Sequence, residues 1–277
     1  MTAIETSLPR IGDFPREVTQ EQSDFLQREG FIQFGRLLSE EELIPLRFAY
    51  ERVWEANPLP EEQCDGKAAP GHRALSIEHF CHETELVRMI SNEHFLCVAG
   101  AALQLPVEEI EFAGGYVHRQ RCQRVWTYED FGWPGWHKDG HPTFDPLSHI
   151  NIWIYLDDCT KMDGVTQALL GSCEHQRQNL KDGIEPDTGL DILQEEQDTL
   201  EAGVFTEGPA GGGFCWSGFL VHRITPNRSG RPRRLITWEY RPKAKEDSSL
   251  FQDKTTREQR AAMAEILPED FQFLVDF

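Results

Sequence analysis

No two cysteines in this chain stand in a Cys-x-x-Cys spacing. The seven present (Cys64, Cys81, Cys97, Cys122, Cys159, Cys173 and Cys215) are scattered and odd in number. A disulfide framework or a structural zinc site is therefore not expected, and reduced thiols in a cytoplasm are. Long apolar runs are missing too. Nothing approaches the ~18 residues that a membrane helix needs, and residues 1–16 carry acids and prolines without the apolar stretch of a signal peptide. Cations are the minority, 27 Lys and Arg against 47 Asp and Glu, for a net charge of -20. A nucleic-acid partner, which requires a basic footprint, is not expected. There is no internal repeat and no low-complexity tract. What remains is an ordinary globular composition, 39% hydrophobic and 27% charged over 277 residues, long for one domain but within reach of an all-β barrel or sandwich.

The N-terminal third reads as helical. Residues 1–17 form a flexible start, and Thr19-Gln20-Glu21-Gln22 then fits a capping box, with Gly30 placed to stop the helix. A short strand Phe31-Ile32-Gln33-Phe34 follows, and a second box, Ser39-Glu40-Glu41-Glu42, opens a helix containing Pro45. Residues 84–103 are helical in one piece or two. From about residue 110 the pattern turns to strands: 110–126, 147–157, 164–170, 213–222 and 233–241, separated by Gly, Pro, Asp and Asn. The run His149 to Leu156 alternates, with His149, Asn151, Trp153 and Tyr155 on one side and Ile150, Ile152, Ile154 and Leu156 on the other. Such a strand is either a wall of a ligand-holding barrel or an edge strand with a solvated face. Residues 174–208 are a polar insertion, either a lid or a long surface loop. A C-terminal helix over 255–266 is expected from the box Thr255-Thr256-Arg257-Glu258. Gly211-Gly212-Gly213 leads into Phe214-Cys215-Trp216, so it reads as a turn into a strand and not as a phosphate loop.

Three residues carry the chemistry. His137 and Asp139 are two apart in Gly135-Trp136-His137-Lys138-Asp139-Gly140, and on a strand they share a face. His222 lies far downstream, and Arg233 follows eleven residues later. Two imidazoles and one carboxylate form the facial ligand set of non-haem Fe(II), which leaves positions open for an oxidant and a co-substrate. If the turn centres on Asn227-Arg228, His222 and Arg233 become cross-strand partners. The Arg233 fork then suits a dicarboxylate bound to the metal by its other end. Taken singly, each residue has an ordinary explanation, a satisfied core histidine or a solvated basic turn; their order and spacing favour the site.

The chain resembles the phytanoyl-CoA dioxygenase family of Fe(II)- and 2-oxoglutarate-dependent enzymes. The segments that carry the likeness are Glu29-Gly30-Phe31-Ile32, Leu37 to Leu43, Trp136-His137-Lys138-Asp139, Asn151 to Asp158, Asp163-Gly164, Leu170-Gly171-Ser172, His222 and Arg233, spread over about residues 18–242. The resemblance implies a mainly β domain over 18–277 with flanking helices: a helical entry over 18–104, then a double-stranded β-helix (jelly-roll, cupin-like) core over 105–242. It implies Fe(II) on His137, Asp139 and His222, and 2-oxoglutarate on Arg233 with Trp153 beside it. The expected reaction is hydroxylation of a small organic molecule by O2, with release of succinate and CO2, away from membranes. The family's small residues after the distal histidine are replaced by Arg223-Ile224-Thr225, which leaves Thr225 as the substitute hydroxyl. Retention of Asp139 favours C–H oxidation over halogenation. Trp133 and Trp136, in an aromatic stretch before the metal motif, and His118, Gln120 and Arg121, on the strand before it, are the substrate candidates. A cationic group among them would suit an anionic substrate. The rivals are a catalytically inactive binding domain of the same fold and a zinc hydrolase.

Overall fold

The two N-terminal capping boxes form as read. In the computed structural model, which describes residues 8–58, 72–120, 136–138, 149–182, 203–243 and 255–276, strand β1 (Arg10–Ile11) precedes helix α1 (Gln20–Glu29). The Thr19 hydroxyl accepts from the Gln22 amide at 3.3 Å, and the Gln22 side chain accepts from the Thr19 amide at 2.8 Å. Gly30 ends α1 at φ 66, and a Cβ there would lie 2.6 Å from Ser217 Oγ. Strand β2 (Phe31–Phe34) leads to α2 (Glu40–Ala56), capped by Ser39 with Glu42 and continuous through Pro45. After β3 (His72–Ser76) come α3 (Thr84–Arg88) and α4 (Glu93–Leu103), divided where the Asn92 side chain caps α4.

The core strands are β4 (Ile110–Gln120), β5 (Ile150–Tyr155), β6 (Thr166–Ala168), β7 (Val204–Phe205), β8 (Gly213–Ser217), β9 (His222–Ile224) and β10 (Arg233–Pro242). Helix α5 (Ser172–Lys181) lies between β6 and β7, and α6 (Arg257–Ile266) follows β10. They form a seven-stranded sheet ordered β1-β2-β8-β5-β10-β4-β3 and a three-stranded sheet ordered β7-β6-β9, which His137 extends by a bridge to His222. Two facing sheets joined in this order are the jelly roll expected.

Strand β5 is interior and not an edge. It lies between β8 and β10, with all six residues buried. Its isoleucines face the helical layer, where Trp238 on β10 pairs with Ile152 and meets the Phe95 ring of α4 at 5.1 Å. Burying each such side chain contributes roughly 1.5–3 kcal/mol. The opposite face of Asn151, Trp153 and Tyr155 looks into the barrel. Gly213 begins β8 because a Cβ there would lie 1.8 Å from the Trp153 carbonyl oxygen.

Four expectations change. The strand predicted over 213–222 is two strands in different sheets, β8 and β9, separated by the turn at 218–221. His222 and Arg233 are therefore not cross-strand partners, because β9 pairs with β6 whereas β10 pairs with β4 and β5. The connection crosses between the sheets on Asn227, whose amide nitrogen donates to the carbonyls of Gln120 (3.3 Å) and Arg231 (2.8 Å). The polar insertion starts inside α5 and ends after β7, so its two ends belong to the framework; its middle, 183–202, lies outside the described residues. The last helix starts one register later than expected, on a Thr256–Gln259 box, and Thr255 accepts from buried Arg260 Nε at 2.8 Å.

Candidate metal centre and anion anchor

His137 and His222 are a hydrogen-bonded antiparallel pair: each amide donates to the other's carbonyl, at 2.9 and 2.8 Å. Directly opposed residues project to one side, and the two imidazole centroids are 4.3 Å apart. His222 is buried. Its Nδ1 lies 3.0 Å from the Leu220 carbonyl oxygen, so Nδ1 carries the proton and donates, leaving the Nε2 lone pair for a metal. Burial first, and His137 second, hold its pKa well below the ordinary imidazole value, against the Leu220 bond. The neutral ring this favours is the form a metal ion binds. The edge of Trp216 packs on it at 3.7 Å and 84°. Asp139, the expected carboxylate ligand, lies outside the described residues, as do Arg121 and Trp133.

Three residues on from His222, just past the end of β9, the Thr225 carbonyl accepts from Gln120 Nε2 at 2.8 Å. Gln120 is the cross-strand partner of Arg233, so β9 runs from the histidine pair to the arginine. Arg233 is 2% exposed. Its Nη1 donates to the Gly164 carbonyl, while Nε and Nη2 have no partner among the described residues. Burial lowers its pKa, with Tyr155 the main opposing influence, but a guanidinium stays charged. A buried cation with one unmatched edge is penalised by several kcal/mol unless an anion meets it. A carboxylate does so with two parallel bonds. On the neighbouring strands Gln120 Oε1 and Thr166 Oγ1 are also buried and without a partner among the described residues. Tyr155 donates to Thr206 Oγ1 at 2.7 Å, since the Thr206 proton goes to the Thr166 carbonyl at 3.0 Å.

Trp153 stands on the inner face between the two ends, with ring contacts to His118 at 5.0 Å and to Phe214 and Trp216 at 5.3 Å. His118 faces inward as well, 2.9 Å from Thr237 Oγ1 through Nε2. Gln120, predicted as a substrate residue, stands instead beside Arg233. The Thr225 hydroxyl donates to the Val165 carbonyl at 2.6 Å, which commits its proton and leaves only its lone pairs.

Trp136 moves from substrate wall to support. It is buried with Leu169 and Val221, residues on the outer side of the small sheet, opposite the His222 ring. Arg223 stacks on it, Cζ 4.2 Å from the ring, and donates through Nε to Gln167 at 2.7 Å. This layer clamps the His137 segment to β9. Arg119, between His118 and Gln120 on β4, points outward to Glu51 and over the Tyr50 and Trp54 rings. Thr166 and Tyr155 were not singled out as site residues from the sequence. The alternation of 164–170 and 149–156, carried through to a facing, would have marked both.

These strands, with a histidine pair at one end and an open guanidinium edge at the other, define a jelly roll of the oxygenase type. The family model for phytanoyl-CoA dioxygenase (PhyH) matches residues 26–235, and the chain belongs to that family. Among solved structures it is similar to the non-heme alpha ketoglutarate dependent carbocyclase SnoK from nogalamycin biosynthesis, with TM-score 0.63, 17% identity, and 84% of this chain and 89% of that one covered. EvdO2 from Micromonospora carbonacea var. aurantiaca complexed with 2-oxoglutarate gives 0.59 and 20%, covering 86% and 96%. The epimerase SnoN in complex with Fe3+, alpha ketoglutarate and nogalamycin RO gives 0.60 and 16%, covering 79% and 82%. At these identities the likeness establishes the fold. No curated protein sequence matches. No helix among the described residues is long and apolar enough to cross a membrane.

Proposed function

We propose that this chain is an Fe(II)- and 2-oxoglutarate-dependent oxygenase that hydroxylates an unactivated C–H bond of a small organic molecule, releasing succinate and CO2. The observation that carries the reading is the unpartnered Nε–Nη2 edge of buried Arg233, in line along the barrel with the His137–His222 pair. His137, His222 and Asp139 would hold the metal, and the neutral Nε2 of His222 fits it. The chemistry the metal supplies when bound is O2 activation coupled to decarboxylation of 2-oxoglutarate. Arg233 takes the distal carboxylate of the co-substrate. The Thr166 hydroxyl, buried and without a partner among the described residues, is a further donor. Trp153, Phe214 and Trp216 keep the interior dry, which strengthens each of these polar contacts. The fold neighbours with Fe3+ or 2-oxoglutarate bound support the same reading.

A zinc hydrolase would leave the Arg233 edge without a task, and an inactive binding domain would need neither edge nor metal. Anaerobic addition of Fe(II) and 2-oxoglutarate should give a visible charge-transfer band, and admission of O2 should give succinate. Activity with Zn2+ in the absence of O2, or no band at all, would overturn the proposal.

A further inference from the structure

We infer that the side-chain amide of Asn151 recognises a neutral hydroxyl group of the substrate at the metal end of the barrel, an inference that rests on the oxygenase reading. Period two on β5 places Asn151, Trp153 and Tyr155 on the inner face. Tyr155 belongs to the arginine end, whereas Asn151 pairs with Glu239, well along β10 from Arg233. On its other side Asn151 stands opposite Trp216 on β8, the indole packed on His222 with ring centroids 3.7 Å apart. Directly opposed residues project to one side. The amide and the aromatic wall of the metal ligand therefore share a face.

Asn151 is 4% exposed, and its amide makes no hydrogen bond among the described residues. Neither strand neighbour takes it. The Glu239 carboxylate lies 3.6 Å from His149 Nε2. Trp216 Nε1 is itself buried and without a partner among the described residues. A buried amide left unmatched is destabilising, and a leucine of similar size would fill the position without that cost. The chain instead presents two N–H donors and one carbonyl acceptor on Asn151, with an indole N–H on the residue opposite. An amide offers an ionised group no counter-charge, so the matching group is neutral. An ether or ketone oxygen would answer the donors and leave Asn151 Oδ1 unmet. A hydroxyl donates to Oδ1 and accepts from an N–H through one atom, and two on adjacent carbons do both at once.

The test uses the full chain with 2-oxoglutarate and either Zn(II) or Mn(II), followed by ligand-observed NMR. The probes are trans-cyclohexane-1,2-diol and methyl glucopyranoside, each beside its fully O-methylated form, with cyclohexanecarboxamide as the amide control. The zinc samples give affinities, and line broadening by manganese shows that a probe sits near the metal. In the wild type at least one hydroxylated probe should be broadened and bind about fivefold or more tightly than its methylated form, the scale of one neutral hydrogen bond. Asn151→Leu should erase that preference, and Asn151→Ser, which keeps a hydroxyl, should retain part of it. Thermal unfolding separates recognition from architecture: Asn151→Leu should leave the Tm of the metal-free protein unchanged or raise it, since it removes a polar group that has no partner there. A Tm lowered in both variants, equal binding of the hydroxylated and methylated forms, a preference untouched by Asn151→Leu, tighter binding of the carboxamide, or no broadening of any probe overturns the inference. Titration of 2-oxoglutarate into the same samples separates the two readings. If the wild type fails to bind it, the oxygenase proposal falls, whereas binding without hydroxyl preference removes only the role of Asn151.

Discussion

The arginine end and the histidine end of the barrel interior handle their polar groups in different ways. Around Arg233 several donors are committed to the protein: Nη1 to Gly164, Gln120 to Thr225, Tyr155 to Thr206 and Thr225 to Val165. Open among the described residues are the guanidinium edge, Thr166 Oγ1 and Gln120 Oε1. Around His222 the Leu220 carbonyl takes the Nδ1 proton, which puts the ring's lone pair on Nε2, and burial favours the neutral ring. In the proposed reading one end binds charge and the other a metal ion. The first works by leaving a donor unmatched, the second by tying one down. Errors at the two ends should therefore appear in different measurements.

The largest effect is expected at the arginine end. Arg233→Met should raise the KM for 2-oxoglutarate by about 100-fold or more, as for loss of one partner of a buried charge pair. Metal affinity, read with Co(II) in the absence of co-substrate, should not move; if it falls equally, the two ends are not separate. His222→Ala should lower Fe(II) affinity by more than about 100-fold, beyond the loss typical of residues that only support a ligand. Binding of 2-oxoglutarate to Arg233 without metal, followed by NMR, should survive.

The clamp on the outer face should act on the metal end alone. Arg223→Met removes the stack on Trp136 and should weaken metal binding by about tenfold, with Arg223→Lys only partly restoring it. A change in thermal stability with metal affinity intact would assign the pair to packing. At the arginine end, Thr166→Val should raise the KM for 2-oxoglutarate about fivefold without destabilising the apoprotein, since it removes an oxygen that has no partner there. The smallest effect is one of pH. His222 has a folded pKa below its unfolded value near 6.5, so the unfolded chain binds more protons as the pH falls past that point. Its contribution to apoprotein stability is present above about pH 6.5 and declines below it, by at most about 1.4 kcal/mol per pH unit. The pH slope of Tm for His222→Gln should be correspondingly flatter.

Much of this was legible in the chain. Ser and Thr three residues before Gln or Glu announced α1 and α2, because capping is a local exchange of hydrogen bonds. The two faces of β5 were readable because the period of a strand is two, although whether the polar face met solvent or a cavity was not. His137 and His222 stood out by residue type and order. Other features were hidden. A hairpin was the economical reading of 222–233, yet the two residues belong to facing sheets. Trp136 looked like a wall and is a clamp, since which side of a strand segment is inside depends on its partner.

The amino-acid order by itself determined the elements that close within a few residues, such as caps, alternation and turns, and also which side chains possess the chemistry for metal and carboxylate. Tertiary structure alone decided that β9 and β10 lie in different sheets and that the Arg233 edge is left open among the described residues. The physical reason is range. Local hydrogen bonds are specified by neighbours in the chain, whereas facing, burial and an unmatched donor depend on partners far apart in sequence, as Arg233 and Gly164 are at 69 residues.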